Sequence, residues 1–116
     1  SWAFETLTSV GDYKAQGKDA LVAVEFGTTS ISSGNYNEYT TMDTVRQVEQ
    51  LYQYHNPHLK YVNLSEHGYL LLRMEAESTT AEWHYTVGGL RTPSSKARLA
   101  KRVSVLSGKH EVIDLK

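Results

Sequence analysis

Catalysis needs side chains that take a proton, attack an electrophile or hold a metal, and this chain offers few of them in a working pattern. Its histidines are His55, His58, His67, His84 and His110. His55-Asn56-Pro57-His58 has an H-x-x-H spacing, but Pro57 takes the pair off a helix face. Sites that bind and activate a metal need three or more converging ligands, and no Asp/His cluster of that kind is visible. His67 sits in a turn pattern and His84 on the polar side of a strand pattern, so exposure to solvent is the expectation for both. His58 lies at a helix-to-strand junction and is the histidine left open.

Nucleophile signatures are also missing. There is no G-x-S-x-G elbow and no S-x-x-K with its companion motifs, and with no cysteine there is no thiolate chemistry and no disulfide. Thr28, Thr29 and Ser30, with Ser32 and Ser33 behind them, form a hydroxyl-rich loop at the C-terminal end of a strand pattern, where α/β folds place active groups. Phosphate cradles of the G-x-x-x-x-G-K-[ST] or G-x-G-x-x-G type do not occur. Arg91, Lys96, Arg98, Lys101 and Arg102 make one basic stretch with no acid inside it. It lacks the aromatic interleaving of a nucleic-acid surface, so a solvated or partner-facing surface is the reading.

The elements that would position these residues follow from patterning. With 116 residues the chain suits one domain. Its net charge of −1 gives no field that would steer it to nucleic acid or to an anionic membrane. No apolar run reaches the length of a membrane span. The start, Ser1-Trp2-Ala3-Phe4-Glu5, lacks a signal-peptide pattern and an initiator Met, which reads as a processed or excised chain. Eight tyrosines against two phenylalanines point to half-buried sheet faces rather than an aromatic binding platform.

Residues 1–5 alternate as if already inside an element. Gly11, Asp12, Gly17 and Lys18 mark a loop. Leu21 to Phe26 reads as a buried strand ending at Gly27. Asp43 to Tyr54 is the main helix, with Met42, Val45, Val48 and Tyr52 on one stripe, Thr41 or Asp43 as its cap, and Pro57 as its stop. Leu59–Leu64, Tyr69–Glu75 and Thr80–Val87 read as a three-stranded antiparallel meander, with Gly68 supplying a positive φ in the Ser65–Gly68 turn. Leu90 to Arg102 reads as a loop or short helix. Val103–Leu106 and Glu111–Leu115 read as a final hairpin around Ser107-Gly108-Lys109-His110. The fold class is α+β, mostly antiparallel with one main helix.

Three segments carry a family resemblance. Asn56-Pro57-His58-Leu59-Lys60-Tyr61-Val62 followed by Gly68-Tyr69-Leu70-Leu71-Leu72 closely resembles the C-terminal part of PhoD-type alkaline phosphatases. Val24-Glu25-Phe26-Gly27-Thr28-Thr29-Ser30-Ile31-Ser32-Ser33 resembles that family's Glu-Phe strand and its Ser/Thr-rich loop, although Thr29 and Gly34 occupy a region where the family commonly has prolines. Ala81-Glu82-Trp83 matches its outgoing strand. Ser1–Glu5 looks like the residues that directly follow the family's Gly-Asp-x-His motif. The matches span residues 1–87, leaving 88–116 as a loop plus the final hairpin.

The resemblance implies a single segment, 1–116, forming the C-terminal part of a four-layer metallophosphatase sandwich. Its parent would hydrolyse phosphate mono- or diesters at a multi-metal centre of iron with calcium, and would be exported to the periplasm or beyond. The metal ligands lie upstream of Ser1 in that family, so no catalytic residue and no metal ligand is carried over here. Thr28, Thr29, Ser30, Asn56 and His58 are the candidates for the substrate mouth. The expected partner is the N-terminal remainder of the phosphatase, or a second copy through an exposed sheet face, with no nucleic acid and no membrane span. The alternative is a stand-alone binding module that uses the basic stretch 91–102.

Overall fold

The computed structural model describes residues 1–7, 9–87 and 96–115. Its strands are β1 (Trp2–Leu7), β2 (Leu21–Gly27), β3 (Leu59–Val62), β4 (Gly68–Met74), β5 (Ser78–Thr86), β6 (Ala97–Leu106) and β7 (Ile113–Leu115). Its α-helices are α1 (Val10–Gln16) and α2 (Met42–His55). The strands form two antiparallel sheets, ordered β2-β1-β3 and β4-β5-β6-β7. The architecture is therefore α+β with one main helix.

The two sheets meet around Trp83. In the smaller sheet, register places Ala3 between Phe26 and Tyr61. The small Ala3 side chain leaves room there, and the Trp83 indole fills it, edge-on to Phe26 at 5.8 Å and tilted against Tyr61 at 4.9 Å. Trp83 Nε1 donates to the Gly27 carbonyl at 2.9 Å, so the one polar atom of the indole is satisfied inside the core. Ala81, Tyr85 and Val103 complete the buried cluster. The alternation read in Thr80–Val87 is thus real, with its apolar row turned to the other sheet.

Helix α2 has the cap and stop that its sequence signals. Thr41 Oγ1 accepts from the Thr44 N–H at 3.3 Å, and Asn56, held by Pro57, closes the last turn through its N–H to the Tyr52 carbonyl. Val45 is its one fully buried side chain. Met42, Leu51 and Tyr52 remain exposed, so only part of the stripe is covered by described residues.

Several expectations are corrected. The polar stretch after β1 is helical, not a loop, because Ser9 Oγ accepts the Asp12 N–H and Lys14, Ala15 and Gln16 tolerate helix; Gly17, at φ 59°, ends it. Strand β2 is an edge strand, and Val22 and Ala23 are exposed rather than buried. The meander fails at its first link. Strand β3 pairs with β1 in the other sheet, because Asn63 Oδ1 accepts the Ser65 and Glu66 N–H groups in a tight side-chain turn that carries the chain across. Gly68 does not have a positive φ. It is needed for close approach, since a Cβ there would lie 1.9 Å from the His84 carbonyl oxygen.

The expected loop or short helix over 90–102 is strand from Ala97 onward, and residues 90–95 lie outside the described residues. Basic side chains at inward positions disguised this strand: Arg98 lies over the Tyr85 ring and Lys101 over the Tyr61 ring, each at 5.9 Å. The final hairpin forms around Gly108, at φ 77°.

Candidate functional site

Strand β1 starts inside a polar cluster. Ser1 is buried, its amine donates to the Asn63 carbonyl at 2.9 Å, and its Oγ accepts the Thr29 N–H at 3.2 Å. Asn35 spans the cluster, donating through Nδ2 to Thr29 Oγ1 at 3.4 Å and to the Glu66 carbonyl at 3.1 Å. Asn35 and Glu38 also form a reciprocal capping box on the short 3₁₀ turn Tyr36–Glu38.

His67 locks this loop to the turn before β4. Its Nδ1 sits 3.1 Å from the Ser30 carbonyl oxygen and its Nε2 3.0 Å from Glu38 Oε1. The expectation of a solvated His67 is wrong: the side chain is buried because the hydroxyl-rich loop folds back over it. Ser30 offers His67 its carbonyl, not its hydroxyl, and the hydroxyl accepts the Ser33 N–H at 2.9 Å. Ser30 and His67 therefore do not form a nucleophile–base pair. His67→Ala should lower stability by about 1–2 kcal/mol by removing the buried side chain that ties Ser30 and Glu38 to the turn before β4. Urea unfolding measures this, and faster proteolysis within residues 28–38 should accompany it.

An open cavity of about 450 Å³ adjoins the cluster, lined by Asn37, Met42, Arg46, Glu49, Asn63, Ser65 and Glu66. Burial raises the Glu49 carboxyl above its ordinary value, against the Leu64 backbone hydrogen bond and the Arg46 charge. Behind the cluster Tyr61 and Tyr85 share a 2.7 Å hydroxyl–hydroxyl bond, and burial pushes both phenols upward.

The sequence candidates divide between two places. Thr28, Thr29 and Ser30 stand at the Ser1 end of β1, Thr29 and Ser30 within the cluster itself. Asn56 and His58 stand at the other end, beside Phe4 and Glu5, about 13 Å away along the strand. Asn56 caps α2, both its backbone N–H and its Nδ2 donating to the Tyr52 carbonyl. His58 packs 5.4 Å from the Phe4 ring and lines a separate cavity of about 310 Å³ with Glu5, Ser9 and Glu25. The structure does not bring the five together. His84, expected in solvent, instead bonds Glu82 at 2.9 Å and stacks on Tyr69 at 5.0 Å.

Burial, then the Lys60 charge, holds the His58 imidazole below its ordinary pKa of 6.5, against a smaller pull from Glu5. On acidification the unfolded chain takes up this proton first. His58 therefore has no effect on stability well above pH 6.5 and costs stability as pH falls from there toward the folded pKa. The stability difference between wild type and His58→Gln, followed between about pH 7.5 and 5, should shift in favour of the variant. This difference removes the contribution of Glu49, whose raised pKa acts in the opposite direction.

The basic stretch is largely neutralised within the fold. Arg98 pairs with Glu66, Lys101 with Asp114 at 2.6 Å, and Arg102 with Glu82 at 3.1 Å. Arg91 lies outside the described residues.

A family model described as PhoD-like phosphatase matches residues 1–83. The chain belongs to the PhoD-like phosphatase family. No curated protein and no solved structure matches it. The matched span contains both sequence candidate groups, all of the Ser1 cluster up to His67, and the core tryptophan. PhoD-like phosphatases are in general metal-dependent. Among the described residues, however, no group of three or more His, Asp or Glu side chains could hold a metal ion. The described residues do not fit a resident metal. Among them, too, no helix is long and apolar enough to cross a membrane.

Proposed function

We propose that the chain is the C-terminal part of a metal-dependent phosphatase or phosphodiesterase, and that it supplies architecture and one rim of the substrate mouth rather than the metal centre. The observation that carries this reading is the family match over residues 1–83. The polar cluster around Ser1 supports it: a Gly-Asp-x-His segment joined to Ser1 would leave the sheet beside Thr29 and Ser30. Those residues, with Thr28, form the rim in this proposal. Asn56 and His58, at the far end of β1, serve the helix-to-strand junction instead.

The metals, iron with calcium in this proposal, would be held by the N-terminal remainder of the phosphatase. That remainder would pack on apolar side chains left open here, such as Val22 on β2 and Leu51 and Tyr52 on α2. The paired cations of β6 make the stand-alone polyanion-binding module the lesser reading. The purified 116-residue chain, given iron, calcium or other divalent ions, should not hydrolyse 4-nitrophenyl phosphate. Turnover that tracks the chain through purification would show that it carries a metal centre of its own and overturn the proposal.

A further inference from the structure

Strand β4, Gly68–Met74, lies at one edge of the four-stranded sheet and pairs with β5 regularly along all seven positions. Edge strands are ordinarily blunted by shortness, a bulge, a proline or a lysine. Gly-Tyr-Leu-Leu-Leu-Arg-Met has none of these, and Arg73 is its single charge. The edges β3 and β7 are only four and three residues long, and β2 meets its neighbour with a register break. Strand β4 also exposes apolar side chains on both faces. Tyr69 and Leu71, opposite His84 and Glu82, are 45% and 46% exposed on the outer face. Leu72 and Met74, opposite Ala81 and Thr79, are 43% and 76% exposed on the inner face.

The strand is complementary to itself. We propose that two copies of the chain pair β4 to β4, antiparallel across a two-fold axis at Leu71, and join their sheets into one. This register sets Leu71 opposite Leu71 of the partner subunit. It sets Tyr69 opposite the partner's Arg73, a ring facing a cation, and Leu70 opposite the partner's Leu72. Gly68 is itself buried, so the paired stretch is Tyr69–Arg73. Every position of that stretch finds a suitable counterpart, its unpaired backbone groups are satisfied, and the contact is closed by its own symmetry. The inference requires that the N-terminal remainder of the proposed phosphatase leave β4 open, as packing on β2 and α2 would.

The two-fold register makes a charge-swap test decisive. Light scattering should find the wild-type chain dimeric. Leu71→Lys and Leu71→Glu each set like charges face to face across the axis, and should each weaken dimerisation by about 100-fold or more. Mixing the two variants sets Lys opposite Glu and should restore a heterodimer. Circular dichroism checks that each variant is folded, which the exposure of Leu71 favours. Should either lose its fold, Tyr69→Lys faces the partner's Arg73 and should give a monomer, and adding Arg73→Glu to it should restore the dimer. A wild-type chain that stays monomeric at near-millimolar concentration overturns the proposal; that is the expected result if β4 is reserved for a strand from another polypeptide segment. A dimer indifferent to Leu71, or folded variants that fail to pair when mixed, also overturns it.

Discussion

Trp83→Ala is expected to cost about 3–5 kcal/mol, a large share of the stability of a domain this size. The indole is fully buried and touches both sheets at once. Its removal opens a cavity between Phe26 and Tyr61, which are fixed on either side of Ala3 by strand register and cannot both move in. It also leaves the Gly27 carbonyl without its donor. Chemical denaturation measures the loss, and near-UV circular dichroism should weaken as the packed aromatic cluster disperses. A cost below about 1 kcal/mol would mean the sheets are not joined through this residue.

Glu5→Ala should cost about 3 kcal/mol through a different cause. Glu5 sits in β1 with 2% of its surface exposed, so its charge is tolerated only because it is paired. Lys60 Nζ lies 3.1 Å from Oε1, and the Val112 N–H donates to Oε2 at 3.0 Å. The carboxylate thereby ties β1 to β3 and to the segment that leads into β7. Truncation strands the Val112 N–H and leaves the Lys60 ammonium facing a low-dielectric site. Lys60 retains 35% side-chain exposure, which places the cost at the lower end of the range for broken buried pairs. In Glu5→Leu/Lys60→Met both charges leave together, so the double variant should be more stable than Glu5→Leu alone. Additive losses in urea unfolding would contradict the pairing.

Elements whose signals are local were legible in the sequence. Helix α2 announced itself through Thr41, the Val45–Val48 stripe and Pro57, and β5 through the strict alternation around Trp83. What sequence could not give is the choice of partner. Leu59–Val62 reads as a strand whichever sheet it joins, and the side chain of Asn63 decides that by turning the chain toward the other sheet. Basic residues hid β6, because Arg98 and Lys101 hold their charged groups over Tyr85 and Tyr61 while also pairing with Glu66 and Asp114. The Gly and Asp content around α1 outweighed a short helix that depends on one serine cap.

The site was legible to a similar degree. Thr29 and Ser30 could be found from a hydroxyl-rich loop following a strand. Asn35, Glu38, Asn63, Glu66 and His67 were not, because they come from separate stretches and meet only after folding. Asn35-x-x-Glu38 has the spacing of a capping box and could have been read as one. No local signal marks His67, whose partners lie 37 and 29 residues away. Asn56 and His58 open the most family-like segment of the chain, yet β1 separates them from the loop they were grouped with.

The central claim is that this chain completes a phosphatase whose metal ligands precede it. The most direct measurement is the coding sequence upstream of Ser1 in the source gene. The account predicts codons for Gly-Asp-x-His immediately before Ser1, in frame with a longer phosphatase. A start codon at this position with no such motif ahead of it would contradict the account.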